Sequence, residues 1–481
     1  MAINQQTMDL KEYFINGSNP SVLSQVSKEM TLNYLLFEDC MVPTHGIDLE
    51  SVQELLGEIN YIYKSPFYGV YVFTLNLVNQ NYEIDIYFLN SSGELENIAG
   101  PFLSSGIVQV AENNAEPNTQ IGFVTGLGYY YMVDNVVTQI PQGEDGFTFA
   151  TPSSIIMIDN IFLVSDFDTS GVQATAANNA TEFQENVIFY YQSDPSKLIS
   201  LARSERVVYF IAQYGIERWT VSGGLQLLTR DSVYFESYGI YFSKSLSAKL
   251  NYIVGMFSSS DGDPKVIVYI EGSDKENIIS TAGIVERMLS MGDCISSDVY
   301  EIDSYVYYEV VFDGVGVIDF ATGQQITYPN GYSFIYCFNN GEWTESTQPR
   351  TQVCRFNGIN YAGTSNKFYK IKKYWNDQTK YRVMPNGFFS KDFKNFTVGV
   401  TRFYLTNPQN DVIPPEERLV QIGYSVDGTM KGLQKEQEIV GNSYYSWVTR
   451  AFNVNNFQFS AILYTNTNVY WRAATADIRY G

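Results

Sequence analysis

Residues 198–224 read LISLARSERVVYFIAQYGIERWTVSGG, and the fold follows from how this stretch is divided. Arg206 to Ala212 is apolar and β-branched or aromatic, Gly215 to Val221 alternates, and Gln213-Tyr214-Gly215 lies between them as a turn. That pattern predicts two antiparallel strands, a hairpin of an all-β domain. Nothing in the stretch itself forms a reaction centre.

The second strand carries Glu217-x-Trp219 and ends in Ser222-Gly223, and comparable punctuation recurs downstream. Val268-Tyr269-Ile270 leads into Asn277-Ile278-Ile279-Ser280-Thr281-Ala282-Gly283-Ile284-Val285-Glu286. Tyr305 to Asp319 reads as an aromatic strand pair, Asn340-Gly341-Glu342-Trp343-Thr344-Glu345 as a closing strand, and Tyr424-Ser425-Val426-Asp427-Gly428-Thr429 as a turn. Together, in this order over roughly residues 120 to 480, these stretches resemble the phage stabilisation proteins, the tail hub or nozzle proteins of short-tailed phages. The resemblance implies a virion component, assembled in the host cytoplasm, that forms a homo-oligomeric ring of six copies. Such a ring continues the ejection channel below the portal and adaptor proteins, neighbours a tail needle, fibre or spike, and helps to retain packaged DNA. One departure is local: where the family has Thr-His before the Ile-Glu, this chain has Thr281-Ala282, so any role of that histidine is absent.

Working outward from the opening hairpin, further hairpins are expected on both sides. They are Phe67 to Leu89 around a three-residue loop Asn79-Gln80-Asn81, Ile121 to Val133 around Gly126 to Gly128, and Ile155 to Val164 around Asp159-Asn160. Tyr252 to Ile270 around Ser258 to Pro264, Val306 to Phe320 around Asp313-Gly314, and Val353 to Ile371 around Asn357-Gly358 continue the series. Centres spaced roughly 30 to 50 residues apart suit propeller blades with long insertions, whereas a sandwich would place strands about every 8 to 12 residues. The expected fold is all-β: a β-propeller-like domain over residues 36–380, an N-terminal arm over 1–35 and a β-rich module over 381–481. Helix is expected at Ser280 to Met291 and Asp48 to Glu58, with a short possibility from Val22 to Leu35. Asn407 to Glu417 reads as a long loop, and Val420 to Tyr480 as alternating strands that include Phe457 to Tyr464 and Asn468 to Arg472.

Composition bounds the function. The chain of 481 residues holds 38 Tyr and 31 Phe with only 17% charged residues, which is material for a large β core. Its formal charge is -22, and phosphate backbones are gripped by Lys and Arg, so DNA binding is disfavoured. The four cysteines, Cys40, Cys294, Cys337 and Cys354, lack the paired spacing of a zinc site and are expected to be free thiols. The N-terminal MAINQQTMDLKEYF has neither the basic nor the apolar region of a signal peptide, and no apolar run suits a membrane span.

The search for chemistry yields no catalytic, cofactor-binding or metal residue, and the chain is expected not to be an enzyme. His45 is the sole histidine, which excludes paired-histidine mechanisms, and it reads as a polar loop residue. Gly122 to Gly128 lacks the Lys-Ser/Thr ending of a phosphate loop, and Asp261-Gly262-Asp263 lacks the other ligands of a calcium loop. Glu217 and Glu286, beside Arg218 and Arg287, could serve glycoside hydrolysis only if the fold held them about 5 to 10 Å apart. Trp219, Trp343, Trp447 and Trp471 could stack on sugars or pack in a core. Alternatives to the tail reading are therefore a propeller glycoside hydrolase and a sugar-binding, receptor-recognising propeller. Under the tail reading, DNA passes through the ring without specific binding, and the channel wall is expected to draw on Asn90 to Glu96, Ala111 to Glu116 and Gln142 to Asp145.

Overall fold

The computed structural model describes residues 5–9 and 31–37, residues 40–372 apart from 223–226, 261, 271–275, 316 and 319–324, and strands between 379 and 480. Val207–Ala212 and Ile216–Val221 form the expected hairpin, with Ile211 opposite Ile216 and Val207 opposite Thr220. Successive side chains of a strand point to opposite faces. In Val207–Ala212 both faces are apolar: Val208, Phe210 and Ala212 enter one core cluster, Tyr209 and Ile211 another. A strand buried on both sides belongs to a sheet with neighbours on both sides, and that is the position of a propeller blade.

Seven such blades form a β-propeller. Blade 1 spans Glu58–Ser65 to Leu95–Ser104, blade 2 Gln109–Glu112 to Val136–Ile140, and blade 3 Pro152–Ile158 to Phe183–Tyr190. Blade 4 spans Leu198–Ser204 to Leu228–Glu236, blade 5 Gly239–Ile240 to Glu276–Ile278, and blade 6 Cys294–Ile302 to Glu342–Ser346. Blade 7 is composite. Its strands Gln352–Phe356, Ile359–Thr364 and Lys367–Lys372 are completed by Gly46–Ile47 and Gln53–Glu54 from the other end of the domain. Ile371 faces Ile47, and Phe368 faces Gln53.

The core sits between blades rather than in one centre. A separate apolar cluster fills each of the seven junctions, including blade 7 against blade 1, where Val70, Val72 and Ile62 meet Cys354, Tyr361 and Phe368. The circle is thereby closed by packing as well as by pairing. At roughly 1.5–3 kcal/mol for each large side chain fully removed from water, these junctions are the main source of stability. Gly239 shows how tightly blades 4 and 5 approach: a Cβ there would lie 2.2 Å from the backbone of Gln213 and Tyr214.

Among the described residues one α-helix, α1 (Ala282–Leu289), links blades 5 and 6 within the segment expected to be helical. Thr281 caps it by accepting from the Ile284 amide at 3.3 Å, and Ile284, Val285 and Met288 are buried. The helix expected over 48–58 is absent, and of the one expected from Val22 to Leu35 only 31–35 is described. Over 48–58 there is only a 3-10 turn, Leu49–Ser51, held by Ser51 Oγ donating to the Asp48 carbonyl, because Gln53–Glu54 is drawn into pairing with blade 7. Thr31–Leu32 and Tyr34–Phe37 are strands, and residues 22–30 lie outside the described residues. Two hairpin details also change. The loop after Val78 has two residues, Asn79 and Gln80, both at positive φ, because Val78 pairs directly with Asn81. Tyr305–Phe312 pairs with Cys294–Ile302 and Tyr332–Cys337, while Val317–Ile318 pairs with Gln325–Ile326 instead of folding back on it.

Beyond the propeller, Phe396–Thr406, Ser443–Val454 and Tyr470–Tyr480 share a sheet with Gln5–Asp9, Tyr34–Phe37 and Cys40–Pro43. Leu419–Val426 and Asn456–Thr465 pair along their length. Thr31–Leu32 lies between blade 6 and Thr379–Val383: Leu32 is opposite Glu345 on one side and Arg382 on the other. Asn407 to Glu417 and the Asp427-Gly428 turn fall outside the described residues. Among the described residues no helix is long and apolar enough to cross a membrane.

Candidate functional site

The innermost strand of every blade faces the propeller axis, where a cavity of about 620 Å³ opens. Each blade contributes: Tyr61, Gln109, Ser153, Ser200, Lys249, Ser296 and Gln352 come from blades 1 to 7 in turn. The volume falls within the range of small-molecule sites. On one side of the wall, Lys249 Nζ donates to Asp298 Oδ1 at 2.5 Å and to Gln352 Oε1 at 3.1 Å, and lies 5.7 Å from the Tyr61 ring centre. Burial works most strongly against the Lys249 ammonium, but the charge and hydrogen bond of Asp298 together with Tyr61 and Cys354 outweigh it and hold the lysine above its ordinary pKa. On another side, Ser154 donates to Gln109 Oε1 at 2.7 Å and Gln109 Nε2 reaches Ser200 Oγ at 3.4 Å. Glu112 accepts from Ser65 at 2.7 Å and from Tyr63 at 3.0 Å; burial pushes its carboxyl up, and those two donors oppose the shift.

The residues weighed for catalysis are placed apart. Glu217 is fully buried in blade 4 and receives the Gln192 amide at 2.9 Å, Ser193 Oγ at 2.7 Å, Trp219 Nε1 at 3.1 Å and Arg230 at 3.0 Å. Its sequence neighbour Arg218 instead bonds Asp231 at 2.6 Å, on the opposite face of the strand. Glu286 is exposed on α1. The two glutamates share no site. Arg287, next to it, reaches across to fully buried Glu345 of the closing strand at 2.9 Å, which also accepts from Tyr332 Oη. Trp219 stacks on Phe210 with centroids 4.8 Å apart, and Trp343 donates to the Ile279 carbonyl at 2.7 Å; both are core residues. The side chains of Trp447 and Trp471 lie outside the described residues.

His45 Nε2 lies 3.5 Å from Asp303 Oδ2 in the connection between Cys40–Pro43 and Gly46–Ile47. Gly122 is inside a strand of blade 2 and Gly126 to Gly128 form a hairpin turn, which is not phosphate-loop geometry. Asp261 falls outside the described residues, and among those described no group of three or more His, Cys, Asp or Glu is placed to hold a metal ion. Cys294, Cys337 and Cys354 are free and buried.

The three stretches expected to line a channel are separated by the blade geometry. With four antiparallel strands starting at the axis, first-to-second and third-to-fourth turns open on one face, and the links between blades on the other. Ala111 and Glu112 lie on the axis strand of blade 2, and residues 113–116 continue onto the first face, where Asn90 to Glu96 also turns. Gln142 to Asp145 joins blades 2 and 3 on the second face. Sequence reasoning missed Lys249, Asp298, Gln109 and Ser296.

No family model matches the chain, and no curated protein matches it. Among solved structures it is similar to the extracellular domain of a putative hybrid two-component system from B. thetaiotaomicron, at 8% identity and a TM-score of 0.42, covering 89% of this chain. The chain spans 60% of the length of that structure. It is also similar to a chain of a nidogen/laminin complex, at 7% identity and a TM-score of 0.30, with 61% of this chain and 97% of that one covered.

Proposed function

We propose that the chain is a tail hub or nozzle subunit of a short-tailed phage, a structural virion protein without enzymatic activity that assembles into a ring around the DNA-ejection path. The observation that supports this reading is where the family-like stretches go. Ile284 and Met288 of α1, Val310 and Phe312 of the aromatic strand, and Trp343 of the closing strand pack in one cluster at the junction of blades 5 and 6. Arg287 and Glu345 tie the same pieces together by charge. Three of the five stretches thus meet at one junction, which is consistent with a shared structural module, while Trp219 of the first packs at the junction of blades 3 and 4.

Electron microscopy of the purified full-length chain tests the proposal. Closed rings of protomers are expected; monodisperse single copies at micromolar concentration would overturn it. A ring built head to tail needs two different patches on each protomer. The blade edges and loops are proposed to supply them, so a chain ending near residue 381 is expected to keep the ring.

A further inference from the structure

The axial cavity carries unspent hydrogen-bonding capacity of a particular kind. Ser296 lines it at 7% exposure; its hydroxyl oxygen is covered by the wall and has no hydrogen-bond partner among the described residues, so a turn about its Cα–Cβ bond would offer it to a ligand. An ammonium has three N–H donors, and the contacts of Lys249 within the wall go to Asp298 and Gln352. Formal charge is balanced along the lining: Glu112, Glu205 and Asp298 against Arg203, Lys244 and Lys249. In a chain of net charge -22, this neutrality is local. Lys249 is already paired with Asp298, and Glu112 already accepts from Ser65 and Tyr63, so a charged ligand losing hydration there would compete for partners that are engaged. Ser200, Ser296 and Tyr61 offer groups that both donate and accept, and Ile155, Leu201 and the Tyr61 ring offer apolar contact beside them.

We propose that this cavity binds a neutral polyhydroxylated ligand, a mono- or disaccharide. A sugar hydroxyl both donates and accepts, so it matches serine, tyrosine and amide groups at the wall, and its C–H faces suit the adjacent aliphatic and aromatic surface. The site is independent of ring formation, and it differs from tryptophan platforms, since Trp219 and Trp343 are buried in the core.

The test uses the full-length chain, titrated by calorimetry and saturation-transfer NMR with glucose, galactose, N-acetylglucosamine and maltose, and in parallel with glucuronate and glucosamine. At least one neutral sugar is expected to bind saturably, with both charged analogues at least tenfold weaker. Glucose and dextran, titrated separately, distinguish a free sugar from the end of a polysaccharide, and either one binding supports the site. Ser296→Ala is expected to weaken binding at least threefold with an unchanged thermal midpoint, and Ser296→Leu to weaken it further, because the larger apolar side chain intrudes on the ligand's space and removes the hydroxyl. The double variant Lys249→Met with Asp298→Asn removes the buried pair without stranding one charge and is expected to weaken binding at least tenfold. Absence of binding by every neutral sugar overturns the proposal, as does equal binding of glucuronate, or wild-type affinity in a folded Ser296→Leu protein.

Discussion

Glu217 is fully buried yet surrounded by an amide, a hydroxyl, an indole N–H and a guanidinium, so its charge is matched rather than exposed for chemistry. Replacing it by alanine leaves the Gln192 amide and the Trp219 indole N–H without their acceptor and is expected to cost about 2–3 kcal/mol, read as a lowered urea midpoint. Glu342 is the opposite case. Burial alone pushes its carboxyl up to about 7. In the unfolded chain it titrates near the ordinary value of roughly 4.3, so between those pH values the folded state binds more protons and stability falls as pH rises through the window. Glu342→Gln is therefore expected to raise stability by about 1 kcal/mol above pH 7, allowing for the solvent screening of a half-exposed group, and to leave it unchanged below pH 4. Thermal melts of the two proteins from pH 4 to 8 check this. The sequence placed Glu217 beside Arg218, but its partner Arg230 lies across the hairpin, close to Trp219 in register. The axial residues were less legible still. Lys249, Asp298 and Gln352 are held in no local spacing, since each reaches the wall from a different blade.

At the scale of elements, what was legible is the hairpin. Strands with both faces apolar, separated by Asn, Asp and Gly turns, have no stable alternative to packed sheets, and Ile155 to Val164 pairs about Asp159-Asn160 as read. What was not legible is where a short polar strand finds a partner. Gln53–Glu54 carries no strand signal, and its place is set by an edge of blade 7 more than 300 residues away along the chain. Removing residues 1–56 takes away both completing strands and Leu55, and leaves Phe368 and Ile371 on an open edge. Such a chain is expected to lose its single cooperative thermal transition and to bind a hydrophobic dye, as followed by calorimetry and ANS fluorescence. A protein that melts as sharply as the full chain would mean that packing between blades 7 and 1 closes the circle unaided.

For the whole molecule, the charge of -22 is the property that bears on the DNA path of the proposed ring. Each Lys–phosphate contact would release counterions and hold the duplex at every step of its passage. An acidic wall avoids this, and with screening over about 8 Å at physiological salt its repulsion acts only near the surface. The described propeller turns Asn90 to Glu96 and residues 113–116 to one face and Gln142 to Asp145 to the other, so at most one of these faces borders a path crossing the disc edge-on. The purified chain is expected to show no measurable affinity for duplex DNA even at 20 mM salt, by fluorescence anisotropy. Micromolar binding there would contradict a sliding surface.

The composite blade also sets a clock. The strands at Gly46–Ile47 and Gln53–Glu54 leave the ribosome early, whereas their partner, Lys367–Lys372, is made last of the propeller. With about 5–20 residues added per second, the roughly 300 residues between them take on the order of 15–60 s to synthesise. Throughout that interval blades 1 to 6 can pair and stack in order, but the faces of blade 1 and blade 6 that blade 7 will cover stay bare. The chain thus emerges as an open arc with two sticky ends, and a second nascent chain on the same message presents the complementary ones. Closure within one chain must outrun exchange between neighbours on a polysome.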